Sequence, residues 1–410
     1  MKKISNIIIL AGGDGDRFWP LKEKFLFSFM GVPLMNKLID EVQTYGDNLY
    51  LVCSKSNEKE VQEVIRGKGK IIIQGIRGTG MAGAVLSCIN EVKGNTLILN
   101  ASDFIDFTVL NEYLRRVEKS DPDFIFLAKK TTEYFPGSYI EFLGKEIIGF
   151  IEKPAPDKVP SDTLKLVVDY IADFQAFIKV LEQTETDADD QYEQGLNAYL
   201  TSINKIEYVL YNSFWYMLKY PWHVLSLMMH FFKTLSIFTD KTATISKTAV
   251  ITGAVHIGKN VKVGDYVKIA GPCYIGDNTV IADYALVRES HIGPNCLIGS
   301  SSEVARSYLG EGVMLHRNYV GDSVFASHVL MGAGAVTANF RFDKKSVGSY
   351  VKGKKINTNA NKLGAIIGAD TKVGINVTLF PGLKIGANCM IRPGYCISRD
   401  MEDDTIVKKQ

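Results

Sequence analysis

A chain of 410 residues exceeds what one ordinary core accommodates, so two or three domains are expected. With 46% apolar and 22% charged residues and a formal net charge of +2, the composition is that of a soluble globular protein. That balance argues against work on nucleic acid or on an anionic membrane, so neither is expected as a partner.

Met1 to Leu10 holds two lysines and a short apolar run that leads straight into Gly-Gly. It lacks the apolar length and small-residue cleavage site of a signal peptide and reads as a first buried strand. Ala11-Gly12-Gly13-Asp14-Gly15-Asp16-Arg17 follows. Three glycines let backbone amides approach a phosphate, and Arg17 supplies a bidentate cation. The spacing is neither GxGxxG nor GK[ST], which excludes dinucleotide-binding and P-loop readings. Next come Lys24, Gly31-Val32-Pro33-Leu34, and Gly78-Thr79-Gly80-Met81-Ala82-Gly83-Ala84-Val85. A second buried strand, Thr96 to Leu99, ends in Asn100-Ala101-Ser102-Asp103, which places a carboxylate where open α/β sheets bind ligands and Mg²⁺. Ile147 to Ile151 precedes Glu152-Lys153-Pro154. Strands alternating with helical segments predict a mostly parallel, Rossmann-like sheet.

The apolar stretch from Trp222 to Phe238 is broken by His223, His230 and Lys233 and is too short to span a bilayer, so it reads as a packed helix. Six cysteines, Cys53, Cys88, Cys273, Cys296, Cys389 and Cys396, are scattered without a CxxC pair. They suggest reduced thiols in a cytoplasmic protein.

From Ile245 an aliphatic residue recurs every six positions through Ile251, Ile257, Val263, Ile269, Ile275, Ile281 and Val287. It resumes after a one-residue slip at Ile292, Ile298 and Val304, and again from Ile367 through Val373, Leu379, Ile385, Ile391 and Ile397. Six fits neither the helical period nor strand alternation. It fits a triangular coil with one inward aliphatic per face and a small residue at each corner, stabilised by stacking. The repeat is interrupted between Phe340 and Ala365 by a lysine-rich excursion holding Lys344, Lys345, Lys352, Lys354, Lys355 and Lys362. Such a segment is either a solvated basic loop or a site that neutralises the phosphates of a coenzyme or sugar phosphate.

These motifs, in this order, resemble the sugar-1-phosphate nucleotidyltransferases. LAGGDGDRFWPL looks like their signature loop, Lys24 falls on the family's lysine, and the GTG-x-AGAV segment looks like the loop that contacts the base. Asp103 looks like the metal-binding aspartate and Glu152-Lys153-Pro154 like the sugar- and phosphate-contacting EKP. With the hexapeptide repeat behind them, nearly the whole chain resembles the bifunctional N-acetylglucosamine-1-phosphate uridylyltransferase/glucosamine-1-phosphate acetyltransferases. The archaeal type is most similar, through His316-Arg-Asn-Tyr319-Val-Gly-Asp322, Ala338-Asn339-Phe-Arg-Phe-Asp343 and LGAIIGADTKVGINVTLFPG.

For the first half the resemblance implies in-line attack of a sugar-1-phosphate on the α-phosphorus of UTP or dTTP, a reaction of positioning and charge neutralisation. Leu10, Ala11, Gly12, Gly13, Gly15, Gln74, Gly78 and Thr79 would bind the nucleotide, Arg17 and Lys24 would be catalytic, and Asp103 would carry Mg²⁺. Gly137, Glu152 and Lys153 would hold the sugar phosphate. For the second half it implies acetyl transfer from acetyl-CoA to an amino-sugar phosphate, with His316 as general base and Arg306, Tyr319, Asn339 and Lys345 binding the substrate.

The chain departs from the family pattern at several positions. Met217 stands where a polar metal ligand is usual, and a thioether is a poor ligand for Mg²⁺. Val167-Val168-Asp169-Tyr170-Ile171 replaces an Asn-x-Gly sugar contact, and Ser102 precedes Asp103 in place of glycine. In the second half Ala305-Arg306 replaces a lysine, Leu330 an asparagine, and Phe340 a tyrosine of some relatives. Arg306 retains the capacity to pair a phosphate, whereas Leu330 cannot hydrogen-bond a sugar.

The expected architecture is a Rossmann-like α/β nucleotidyltransferase domain over residues 1–220, a linker helix over 221–240, and a left-handed parallel β-helix over 241–410. The expected function is a bifunctional cytoplasmic enzyme, a homotrimer by resemblance, acting on an NTP, a sugar-1-phosphate and acetyl-CoA. The alternatives are one retained activity beside a structural domain, or a non-catalytic sugar-nucleotide sensor.

Overall fold

The apolar run that opens the chain forms strand β1 (Ile4–Ala11), buried along nearly its whole length. The computed structural model describes residues 4–12, 15–21, 24–75 and 80–407. The chain divides into two units, one of Met1–Asp14 with Pro33–Met217 and the other of Gly15–Val32 with Leu218–Gln410. The segment Gly15–Val32, early in the sequence, thus groups with the C-terminal half.

In the first unit β1 is followed by α1 (Leu34–Val42), β2 (Gly46–Cys53), α2 (Glu58–Ile65), β3 (Lys70–Ile73), α3 (Gly80–Leu86), β4 (Thr96–Asn100) and β5 (Asp103–Ile105). Then come α4 (Val109–Ser120), β6 (Phe124–Lys130), β7 (Ser138–Leu143), β8 (Glu146–Glu152) and β9 (Thr163–Ile171). The unit closes with α5 (Phe174–Gln183), α6 (Gln191–Leu200), β10 (Ile206–Leu210) and β11 (Trp215–Met217). Helix α1 shows why these segments are helical. Leu34, Met35, Leu38, Ile39 and Val42 recur at helical spacing and all are buried.

The main sheet runs β8-β7-β9-β4-β1-β2-β3, with β6 joined to β9 and β10 joined to β6. Parallel pairing holds for β1 with β2 and β4, for β2 with β3, and for β6 with β10. The sheet is mostly parallel in strand direction, as expected, but β9 is inserted antiparallel to its neighbours β4, β6 and β7. Strands β7 and β8 are antiparallel as well, since the short turn between them is too brief for a parallel crossover. The Rossmann-like half, β3-β2-β1-β4, is intact. Ile8, Leu10, Ile98, Phe124, Phe126 and Phe150 pack with residues of α3, α5 and α6 into the core of this unit.

The second unit begins its C-terminal part with α7 (His223–Phe232), which buries Val224, Leu227, Met228 and Phe232. Among the described residues no helix is long and apolar enough to cross a membrane. Three parallel sheets of eight, nine and eight short strands follow, the left-handed parallel β-helix the six-residue period implies. Ile257, Ile275, Ile292 and Leu309 stack in register on one face, and Val263, Ile281, Ile298 and Leu315 on the next. Each such side chain contributes about 1.5–3 kcal/mol by leaving water. Corners demand small residues because coils touch there: a Cβ on Gly276 would lie 2.6 Å from the backbone nitrogen of Pro294.

Between Val304 and Ile367 the sequence rhythm lapses, yet the coil continues through buried Leu309, Leu315, Val320, Phe325 and Met331. Shortened corners change the spacing without disturbing the register. The lysine-rich excursion contains an ordered hairpin, Gly348–Val351 against Lys354–Asn357, turning at Lys352-Gly353 with φ of 48° and 75°. Those left-handed angles match the twist of a two-residue hairpin turn. All six cysteines are free thiols, five of them buried.

Candidate functional site

In the first unit the site is built where β1 and β4 end side by side. Leu10 and Asn100 are register partners, and the Ala101 N–H donates to the Leu10 carbonyl at 3.0 Å. The chain therefore leaves the sheet at Ala11-Gly12 beside Asn100–Asp103, the crevice in which open α/β sheets bind ligands. Gly12 leaves room for Gln74, whose Oε1 lies where a Cβ at that position would be. Gln74 is itself anchored: its backbone N–H donates to the Cys53 carbonyl at 2.7 Å and its Nε2 to the Gly80 carbonyl at 3.2 Å. Gly13, Gly78 and Thr79 lie outside the described residues.

Asp103 opens β5 and is buried. In the antiparallel pair of β5 and β11 its register partner is Met217. A small cleft beside it is lined by Leu99, Asn100, Asp103, Leu166, Val167 and Val168. The wall contributed by β9 is thus apolar at Val167 and Val168. Asp169 turns inward instead, where its Oδ2 meets Lys165 Nζ at 2.6 Å and accepts from the Tyr192 hydroxyl at 2.8 Å. Lys165 and Asp169 are almost fully buried, 1% and 0% exposed at the side chain, so this pair belongs to the core. Burial pushes the Asp169 carboxyl up, and the Lys165 ammonium opposes that shift.

Gly137, Glu152 and Lys153 come together at the end of the β7–β8 hairpin. The Lys153 N–H donates to the Gly137 carbonyl at 3.0 Å, and Glu152 is in register with Ser138. Lys153 Nζ lies 2.8 Å from Glu152 and 3.5 Å from Asp189. Burial works against its charge, but Glu152 and Asp189 outweigh that and leave its pKa above the ordinary value. Glu193 on α6 is buried, and burial first, then repulsion from Glu152, pushes its pKa up to about 8. Neither Asp189 nor Glu193 was legible as a site neighbour. Both reach this corner through the packing of α6 and its preceding loop, which no local motif announces.

Gly15, Arg17 and Lys24 belong to the second unit. Gly15 adopts a left-handed φ of 67°, and Arg17 and Lys24 sit on the 3-10 turns Asp16–Phe18 and Lys24–Leu26. Arg17 is exposed and Lys24 half-buried.

On the β-helix, Arg306, Tyr319 and Asn339 cluster around Asp322, which the sequence motif contains but to which it gave no role. Arg306 donates to both Asp322 oxygens, each at 2.7 Å. Asn339 Nδ2 donates to Asp322 Oδ2 at 2.5 Å and to the Tyr319 hydroxyl at 3.2 Å. The Arg306 Nε and Nη2 groups are thus engaged by a carboxylate, and a phosphate would have to share the remaining guanidinium nitrogen. That carboxylate closes the His316–Asp322 motif, and its fixed spacing from Tyr319 was the available signal. His316 lies one corner earlier, exposed, its backbone N–H donated to Asn318 Oδ1 at 2.5 Å. Lys345 is exposed, its backbone N–H donated to Asp343 at 3.2 Å. Among the described residues no recorded contact ties His316 or Lys345 to the Asp322 cluster.

Residues 6–216 match the nucleotidyl transferase family, and residues 234–335 match the family described as the GMPPB C-terminal domain. The chain is 30% identical over 98% of its length to a protein of Methanococcus vannielii named bifunctional protein GlmU, of which it covers 97%. It is 31% identical to the protein of that name from Methanocaldococcus jannaschii, again over 98% of this chain and 97% of the relative. It is also 29% identical to a bifunctional sugar-1-phosphate nucleotidylyltransferase/acetyltransferase of Sulfurisphaera tokodaii, over 96% of this chain and 97% of that one.

Proposed function

We propose two reactions for this chain, which belongs to the nucleotidyl transferase family and to its bifunctional sugar-1-phosphate nucleotidylyltransferase/acetyltransferase branch. In the first, a phosphate oxygen of a sugar-1-phosphate attacks the α-phosphorus of UTP or dTTP, the α–β bridging bond breaks, and pyrophosphate leaves. The adjacency of Ala11-Gly12 and Asn100–Asp103 at the ends of β1 and β4 carries this reading. Gly12, Gly13 and Gly15 present backbone amides to the triphosphate, and Arg17 and Lys24 neutralise charge at the reacting phosphate. Gln74, Gly78 and Thr79 are assigned to binding the base. Gly137, Glu152 and Lys153 hold the sugar phosphate, the Glu152 carboxylate accepting from sugar hydroxyls.

Nucleotidyl transfer of this kind uses Mg²⁺. Among the described residues the site offers it the Asp103 carboxylate, with Met217 as the register partner opposite. A single carboxylate fits an ion that would be held for the rest by phosphate oxygens and water. Asp103 is the residue that would hold it, and bound there it would offset negative charge on the phosphates.

In the second reaction the amine of an amino-sugar-1-phosphate attacks the acetyl-CoA carbonyl, the new C–N bond forms, the C–S bond breaks and CoA leaves. His316 takes the amine proton. Tyr319 and Asn339, set by Asp322, orient the acceptor, while Arg306 and Lys345 neutralise its phosphate. We place this chemistry in a cytoplasmic homotrimer, in keeping with the family resemblance.

Met217 and the apolar Val167–Val168 wall favour one second reading, in which only acetyl transfer survives. A two-arm assay on the purified protein decides. One arm follows pyrophosphate release from UTP or dTTP with Mg²⁺ and a panel of sugar-1-phosphates. The other follows free CoA with acetyl-CoA and glucosamine- or galactosamine-1-phosphate. Release in both arms supports the bifunctional reading, CoA alone the second reading, and silence in both overturns the enzymatic assignment.

A further inference from the structure

On one face of the β-helix the outward positions form a continuous column. Phe238, His256, Tyr274, His291 and Tyr308 are successive register partners, their ring centroids 4.8, 4.9, 4.8 and 4.5 Å apart. Val324, Ile366 and Lys384 continue it. Residues 16–19 and 27–30 touch this column and the coils beside it. At one end the Met30 N–H donates to His291 Nε2 at 3.2 Å, and the Tyr308 hydroxyl donates to the Ser28 carbonyl at 2.7 Å. Phe27 and Phe29 pack on Tyr308 with centroids at 5.0 and 5.5 Å, and Phe29 reaches Phe231 of α7 at 5.2 Å. At the other end Trp19 Nε1 donates to Asp403 at 3.0 Å, Lys384 Nζ sits 4.4 Å above the Trp19 ring, and Asp16 pairs with Lys352 at 2.9 Å. Burial holds the His291 pKa down to about 4, so its neutral ring keeps an acceptor lone pair for Met30.

We infer that this column is a platform that positions Arg17 and Lys24 for nucleotidyl transfer, with Tyr308 and His291 as positioning residues at one end and Lys384 and Asp403 at the other. Arg17 lies between the Asp16 and Trp19 anchors, and Lys24 between Trp19 and Phe27. Both cations therefore take their backbone course from the β-helix. The inference rests on the proposed role of Arg17 and Lys24. Transfer chemistry of this kind loses rate when a charged group shifts by a fraction of its reach, about 100-fold for 1 Å.

The test uses the full chain and two readouts, amide hydrogen exchange over residues 15–32 and the kcat and KM of pyrophosphate release. Tyr308→Ala is expected to raise exchange in that segment and to lower kcat about tenfold or more, with KM for the sugar-1-phosphate unchanged within about twofold. Tyr308→Phe, which keeps the ring packing, is expected to recover most of both. Trp19→Phe, which removes the bond to Asp403, tests the opposite end should Tyr308→Ala fail to fold. Unchanged exchange, or an unchanged kcat in an active enzyme, overturns the inference. A parent protein that releases no pyrophosphate, but whose segment loosens in Tyr308→Ala, overturns the proposed first reaction while leaving the platform standing.

Discussion

Met217 lies directly opposite Asp103 in the antiparallel pairing of β11 with β5. The residue facing the candidate metal carboxylate is thus a soft thioether, and hard Mg²⁺ gains little from it. Met217→Asp is expected to raise the kcat of pyrophosphate release by about tenfold, equivalent to about 1.4 kcal/mol of barrier, and to lower the Mg²⁺ concentration at half-maximal rate. A Mg²⁺ titration of both proteins checks it. No change in either quantity would show that the position opposite Asp103 does not contribute to metal binding.

His316 is exposed on a β-helix corner. His316→Ala is expected to lower acetyl-CoA turnover about 100-fold while leaving the melting temperature in place. The check is CoA release with an amino-sugar-1-phosphate. A variant within a few fold of the parent removes the general-base assignment.

The Lys165–Asp169 pair is sealed in the core of the first unit, with Tyr192 as third partner. Lys165→Met leaves a buried carboxylate uncompensated and is expected to cost about 3–5 kcal/mol. Lys165→Met combined with Asp169→Leu should return most of that loss, since the charge then disappears with its partner. Urea unfolding of the two variants measures both. Equal stability for the single and double variants would contradict the account.

Glu193, with a pKa near 8 in the folded protein, keeps its proton at neutral pH. Unfolding releases it to the ordinary carboxylate range, so the native state binds the extra proton between about pH 4.5 and 8. The stability this supplies is present below that window and is lost as pH rises, by about 1.4 kcal/mol per unit at the steepest. Glu193→Gln is expected to flatten the decline and to melt higher than the parent at pH 8. Melting curves from pH 5 to 9 decide, and parallel curves for the two proteins would refute the assignment.

The sequence by itself determined what depends on local order. A six-residue aliphatic period can be satisfied only by a stacked triangular coil, because each inward side chain must meet one from the coil before and the coil after. An apolar run ending in Ala11-Gly12 and another ending in Asn100–Asp103 likewise marked strand ends, where sheets of this class expose their backbone to ligands. Only the tertiary structure decided which side chains share a site. The Asp322 carboxylate engages Arg306 because two coils stack, and Glu193 meets Glu152 because α6 packs on β8. The signature segment belongs to the β-helix because an aromatic column with a repeat of 17 or 18 residues supplies a surface for Phe27 and Phe29. Those contacts join residues some 280 positions apart, as Ser28 and Tyr308 are, and no periodicity links them. Burial of unrelated apolar surfaces against each other is a property of the folded shape, so it is absent from any window of the sequence.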